Sequence, residues 1–152
     1  MRRTPLHVAR ITEDDAHEVE VISSYDNAYG FIEVAVDLWR LAGRADRAQA
    51  IDDVITGAYV HDPPRLDATA LSELRRLLEG LEGSLVGTVT DENHLLSMPM
   101  VSSLRGRTAC LDLDEARGEL AREAVIEALV YVSHLRTIID EALQCNANIL
   151  FD

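Results

Sequence analysis

The histidines are the side chains of this chain best suited to acid–base or metal chemistry near neutral pH. The 152 residues include five of them. His61 lies beside two prolines, His94 follows two acids, and His134 lies in an apolar stretch near the C-terminus. If these three histidines converge with nearby carboxylates in the fold, they would form the site of a small enzyme or ligand-binding protein. The competing interpretation, which we favour, is that an acidic chain gives histidines acidic neighbours by chance.

No catalytic or metal-binding motif organises these residues. The sequence lacks the H-E-x-x-H and paired C-x-x-C spacings of metal sites. It also lacks the nucleophile elbow, the P-loop and the dinucleotide-binding glycine pattern. Cys110 and Cys145 are too few for a disulfide scaffold and are predicted to be buried or half-buried thiols. The sequence therefore favours a protein without catalytic residues, metal or cofactor.

Four glutamates spaced four residues apart form the most regular charged pattern: Glu115, Glu119, Glu123 and Glu127. On a helix they make one winding acidic face, which we call the acidic ridge. Like charges at this spacing cost a few tenths of a kcal/mol per pair. One interpretation of the ridge is a surface for a cationic partner. The other, which we favour for the ridge taken by itself, is a solvated helix face rich in a good helix former.

A second candidate surface is the polar and aromatic cluster at a predicted loop-to-helix junction. It contains Tyr25, Asp26 and Tyr29. Tyrosine is a common interface anchor, so the cluster is a candidate for partner binding. Alternatively, Ser24 or Asp26 caps the next helix and the two tyrosines pack beside it, an interpretation that we favour.

The charge balance narrows the class of partner. The chain has 27 acidic and 14 basic residues, giving a formal net charge of −13. Binding to phosphates needs a basic face, and only Arg2, Arg3 and Arg10 cluster. We therefore expect no nucleic-acid partner. An acidic surface instead favours a basic protein and speeds its approach.

Neither a membrane span nor a secretion signal is expected. No run of about 18 apolar residues is present. The N-terminal segment has arginines but no apolar core of the signal-peptide type. We expect a soluble, cytoplasmic protein with no membrane partner.

A long helix from Asp114 to Gln144 is expected to organise these surfaces. At about 1.5 Å per residue it would be roughly 45 Å long. Its predicted inward residues recur at three- and four-residue steps: Leu120, Ala124, Ala128, Val132, Leu135, Ile139 and Ala142.

Two strands and two helices are predicted in the first part of the chain. Residues 6–11 and 18–23 are expected to pair as a hairpin, with Val19 and Val21 on the buried face. Residues 28–42 and 45–56 show helical periodicity and form a predicted helical hairpin that turns at Gly43.

The second part begins after two prolines in residues 59–66. Asp67 is predicted to cap a third helix, which ends near Gly80 and Gly83. Strands are predicted at 84–90 and 94–98, and residues 107–113 form either a short strand or an extended lead into the long helix. The apolar tail at 149–151 is expected to dock on the body. The predicted fold is one α+β domain over residues 1–152, dominated by helices, with a small antiparallel sheet.

These features favour a small acidic protein-binding domain. In type it resembles the immunity proteins and antitoxins of bacterial competition systems, and this resemblance implies a bacterial origin and an inhibitor that masks a basic protein. The alternatives are the dispersed histidine site and a helical adaptor that forms homo-oligomers through its C-terminal helix. The predicted partner-binding residues are Glu115, Glu119, Glu123, Glu127, Tyr25, Asp26 and Tyr29.

Overall fold

The fold is α+β, dominated by helices and completed by a small antiparallel sheet, as predicted. The computed structural model describes residues 5–11, 19–81, 83–84 and 117–151, with side chains of the last helix from residue 127 onward. The elements are β1 (Leu6–Ile11), β2 (Val19–Tyr25), α1 (Tyr29–Leu41), α2 (Ala45–Ala58), β3 (Arg65–Leu66), α3 (Ala68–Leu78), α4 (Arg117–Gln144) and β4 (Asn148–Phe151). Within the described ranges, no helix combines the length and apolarity of a membrane span. That one domain extends over residues 1–152 stays a prediction.

The sheet has the strand order β2-β1-β4-β3, and every neighbouring pair is antiparallel. The C-terminal tail therefore does more than dock on the body, because β4 lies between β1 and β3. Ile149, Leu150 and Phe151 are buried there. The Phe151 amide also donates to the Pro64 carbonyl at 3.1 Å. The last residues of the chain thus hold the sheet together.

The predicted β1–β2 hairpin is confirmed, but its buried face is not the predicted one. Val8 pairs with Ser23 whereas Ala9 pairs with Val21, so Ile22 is an extra residue in β2. Such a bulge exchanges the two faces of the strand beyond it. Val19 and Val21 are exposed, and Glu20 between them is exposed as well, so this end of β2 has no buried face. The strand runs two residues beyond its predicted end.

Helix α1 packs against both α2 and α4. It is buried around most of its circumference, at Ile32, Val34, Ala35, Val36, Asp37, Leu38 and Trp39. The turn to α2 has Gly43 at φ 76°, the left-handed conformation that ends many helices. The helical hairpin is therefore confirmed, and α2 extends to Ala58 instead of Thr56.

Both ends of α3 have polar partners. The Asp67 carboxylate accepts from the Ala70 amide at 2.9 Å, which confirms the predicted cap. At the other end, Trp39 Nε1 donates to the Leu77 carbonyl at 2.8 Å, and Arg136 Nη2 donates to the Leu78 carbonyl at 2.7 Å. These bonds satisfy two carbonyls that a helix end leaves without internal partners. They also join α3 to α1 and α4.

The described part of α4 confirms the predicted inward face from residue 128 onward. Its buried side chains are Ala128, Val132, Leu135, Ile138, Ile139 and Ala142. Residues 114–116 and the predicted strands at 85–90, 94–98 and 107–113 lie outside the described residues. Ser84, predicted as the first residue of a strand, instead continues a helical turn, with its amide donating to the Gly80 carbonyl at 3.0 Å.

Candidate functional site

The best-defined candidate site among the described residues is an open cleft between α1 and α2. On α1, positions 29, 33, 37 and 40 recur at three- and four-residue steps and therefore share one helix face. Positions 52, 55 and 59 share a face of α2 in the same way. The residues that line the cleft are Tyr29, Ile32, Glu33, Val36, Asp37, Arg40, Asp52 and Ile55.

The charged residues of the cleft are three carboxylates and one guanidinium. Arg40 Nη1 lies 3.6 Å from Asp37 Oδ1, and Arg40 Nη2 lies 3.5 Å from Asp52 Oδ2. Asp37 is only 8% exposed, whereas Arg40 and Asp52 are about half exposed. Together with Glu33 they leave the cleft with an excess of negative charge.

Aromatic side chains occupy the end of the cleft where α1 begins. The Tyr29 ring meets the Phe151 ring edge-on at a centroid distance of 5.5 Å. Burial, then the adjacent Tyr59 hydroxyl and the Glu33 and Asp52 carboxylates, raises the pKa of Tyr29 to about 12. Tyr29 is therefore a neutral phenol at physiological pH.

This arrangement suits the binding of a cation that carries an aliphatic stem. The carboxylates supply the charge, and the aliphatic stem would lie over Ile32, Val36 and Ile55, which are buried beneath the cleft. Within the part of the chain that the structure describes, no group of three or more histidine, cysteine or acidic side chains has the arrangement of a metal site.

The acidic ridge cannot be assembled from the described side chains. Glu115 lies outside the described residues, and the side chains of Glu119 and Glu123 do as well, although their backbone belongs to α4. Glu127 is half-buried and accepts from the Tyr131 hydroxyl at 3.4 Å. The ridge as a partner surface stays a prediction.

The structure separates the two tyrosines that the sequence placed in one cluster. Tyr25 is the last residue of β2, and its hydroxyl donates to Glu141 Oε2 on α4. Ser23 Oγ donates to the other oxygen, Glu141 Oε1, at 2.5 Å. Tyr29 instead faces the cleft, and Asp26 is an exposed turn residue.

The predicted side-chain cap of α1 is wrong. The N-cap residue is Ala28, with no side-chain cap bond. Ser24 belongs to β2, where its hydroxyl is hydrogen-bonded to His7 Nδ1 at 2.7 Å. The strand runs on through Tyr25, and Asn27 then turns the chain with φ 61°. Of the two predicted cap residues, Ser24 therefore belongs to the strand and Asp26 to the turn before the helix.

The described histidines have different surroundings. His61 Nε2 lies 4.0 Å from Asp67 Oδ2, next to the α3 cap. His134 lies beside the Phe31 ring at a centroid distance of 6.2 Å. His94 lies outside the described residues. The dispersed histidine site therefore gains no geometric support from the two that are described.

Sequence reasoning missed the cleft carboxylates on α1 and α2. Glu33 and Asp37 interrupt the apolar pattern of α1 four residues apart, in step with Tyr29. That spacing was a readable signal of a polar stripe on an otherwise apolar helix. That Asp52 lies opposite this stripe is set by the packing of α2 on α1.

Comparisons with known proteins add no identification, since no protein-family model, curated protein or solved structure matches this chain.

Proposed function

We propose that this chain is a small acidic protein-binding domain that masks a basic protein, in the manner of an immunity protein or antitoxin. The observation that carries the proposal is the α1–α2 cleft, where three carboxylates and one guanidinium line an opening with an apolar floor. The formal net charge of −13 supports the same class of partner, because it attracts a basic protein over a long range.

The cleft has the mixed character of a protein-recognition site. Asp52 and Arg40 are about half exposed, so an incoming side chain reaches them without unfolding of the helices. Asp37 is buried beside them, where a lower effective dielectric strengthens its attraction for a cation. A basic residue inserted here would therefore gain more than it gains on an open acidic surface.

The test starts with capture of a partner from the lysate of the source organism, followed by affinity measurement on the purified pair. The cleft variant combines Glu33→Gln with Asp52→Asn. Its matched control, Glu20→Gln with Asp53→Asn, removes the same charge from exposed positions of β2 and α2. We expect the cleft variant to weaken binding by about tenfold or more, and the control to weaken it by about threefold or less.

A third variant tests the ridge, by changing Glu115, Glu119, Glu123 and Glu127 to glutamine together. If only the ridge variant loses partner binding, the contact surface lies on α4, and the proposed class of function still holds. If the cleft variant and its matched control weaken partner binding equally, the effect comes from net charge and not from the cleft. A partner that is not basic, or a complex that is insensitive to salt, would refute the proposed function.

A further inference from the structure

The α1–α2 face continues beyond the cleft into an exposed apolar tip. Tyr59, the C-cap residue of α2, continues the face of Asp52 and Ile55 and lies close to Tyr29 at the cleft wall. Its side chain is 54% exposed, and that of the next residue, Val60, is 84% exposed. Exposed large apolar side chains beside a charged cleft are typical of a contact surface.

The spacing between the charged and apolar parts of this face follows from helix geometry. Asp52 and Tyr59 are separated by two turns of α2, which is about 10 Å at about 1.5 Å per residue. An occupant that contacts both needs a cation and an apolar group at the same separation. On a helical segment, this corresponds to positions about seven residues apart on one face.

We propose that the α1–α2 face docks a basic amphipathic segment in which an arginine and an apolar side chain lie about 10 Å apart. The arginine enters the cleft, and the apolar side chain lies on Tyr59. Charge complementarity selects the cation, because the cleft contains more carboxylates than guanidinium groups. Arginine fits better than lysine, since its planar fork bonds two carboxylate oxygens at once.

This inference rests on the proposed function and specifies what the basic partner presents. It adds a spacing requirement that net charge alone does not impose. An acidic surface without the apolar tip would bind any cationic segment, whatever the placement of its apolar residues.

The test uses two short helical peptides of identical composition, titrated into the full chain and followed by amide chemical shifts. One peptide has arginine and leucine about two turns apart on one face, and the other has them adjacent, on different faces. We expect the spaced peptide to bind about fivefold or more tightly than the adjacent one, since only it makes both contacts. Its shifts should lie in residues 29–40 and 52–60.

Two variants separate the ends of the surface. Tyr59→Ser should lower the affinity for the spaced peptide to that for the adjacent peptide. Val130→Ser, at an exposed apolar residue on α4, should leave the affinity for the spaced peptide unchanged. Asp52→Asn should weaken both peptides. Should Tyr59→Ser not fold, as judged by its amide spectrum, Val60→Ser serves as the second variant at the apolar tip.

Equal affinity of the two peptides, or shifts centred outside α1 and α2, would overturn the inference. If the peptides bind alike but Glu33→Gln with Asp52→Asn still releases the protein partner, the spacing requirement is wrong and the proposed function stands. If the cleft variant does not weaken that complex either, the cleft is not the contact surface.

Discussion

Replacement of Tyr25 by phenylalanine should destabilise the fold without weakening partner binding. The Tyr25 hydroxyl donates to Glu141, which also accepts from Ser23 Oγ, and these bonds attach β2 to α4. The substitution keeps the ring and removes only the donor. It therefore decides whether Tyr25 is a contact residue, as the sequence suggested, or a structural link.

The expected loss follows from the chemistry of the bond. A hydrogen bond to a charged acceptor contributes about 1.5–3 kcal/mol when it is well shielded from water. Tyr25 is only half-buried, and Glu141 keeps the Ser23 donor, so the loss should lie at or slightly below the lower end of this range. We expect a decrease in the free energy of unfolding of about 1–1.5 kcal/mol.

Urea unfolding of a double-mutant cycle measures this contribution. The cycle combines Tyr25→Phe with Glu141→Ala, and the two losses should fall short of additivity by about 1 kcal/mol, because either change breaks the same bond. Additive losses would refute the bond as a source of stability. A tenfold loss of partner affinity in Tyr25→Phe, with its fold intact, would instead make Tyr25 a contact residue.

The same bond predicts a pH dependence. The hydrogen bond with Glu141, burial and the Glu141 charge raise the pKa of Tyr25 above its usual value of 10.0. Because the folded-state pKa is the higher one, the contribution is complete below pH 10 and is lost as pH rises through the folded-state pKa. The stability difference between wild type and Tyr25→Phe should therefore shrink in alkaline solution. A difference that stays constant to pH 12 would contradict the assignment.

Three further changes test the core and the cleft. Leu135→Ala, at a fully buried position of α4, should lower the free energy of unfolding by about 2–5 kcal/mol, measured by chemical denaturation. The loss should be clearly larger than that of Leu129→Ala at a half-buried position, and equal losses would contradict the assigned inward face. Trp39→Phe leaves the Leu77 carbonyl without its indole donor and removes ring volume. The free energy of unfolding of this variant should therefore fall by about 2–4 kcal/mol, and a loss below about 1 kcal/mol would contradict a structural role of the indole. Tyr29 contributes stability that is complete below pH 10 and is lost as the pH approaches its pKa of about 12. Between those pH values the Tyr29→Phe variant should therefore lose less stability than wild type. Parallel losses in the two proteins would refute the raised pKa.

The sequence predicted the elements whose signals are local. Asp67 caps α3 through the Ala70 amide, as its type and position indicated. Val132, Leu135 and Ile139 are buried in α4 at the predicted spacing. These predictions succeeded because helical periodicity and capping depend on residues within one or two turns of each other.

The sequence failed where tertiary contacts determine the outcome. Val19 and Val21 share a strand face, as their alternation indicated, but the bulge at Ile22 shifts the register and both faces of residues 19–21 are exposed. The apolar tail was recognised, yet its insertion between β1 and β3 depends on pairings across most of the chain. A period-2 pattern fixes which residues share a strand face, and long-range register decides which face is buried.

The cleft shows the same division between local and tertiary information. Positions 29, 33 and 37 recur at a helical spacing that the sequence contains. Their functional interest depends on Asp52 and Tyr59, which α2 brings to the same face. An acidic ridge along one helix was easier to read than an acidic cleft between two, because only the ridge is visible within a single periodic segment.

Ion-pair geometry gives an independent reason to prefer the cleft over other acidic positions as the binding site. Arg75 contacts Asp140 at 2.6 Å and Arg76 contacts Glu73 at 2.6 Å, so these carboxylates are already held by short, strong hydrogen bonds. Arg40 lies 3.5 Å from Asp52, at the outer limit of hydrogen bonding. At Asp140 or Glu73, an incoming guanidinium would have to break a short hydrogen bond. At Asp52 it would replace only a weak contact. Among these acids, Asp52 is the one that a partner can engage at the smallest cost to the fold.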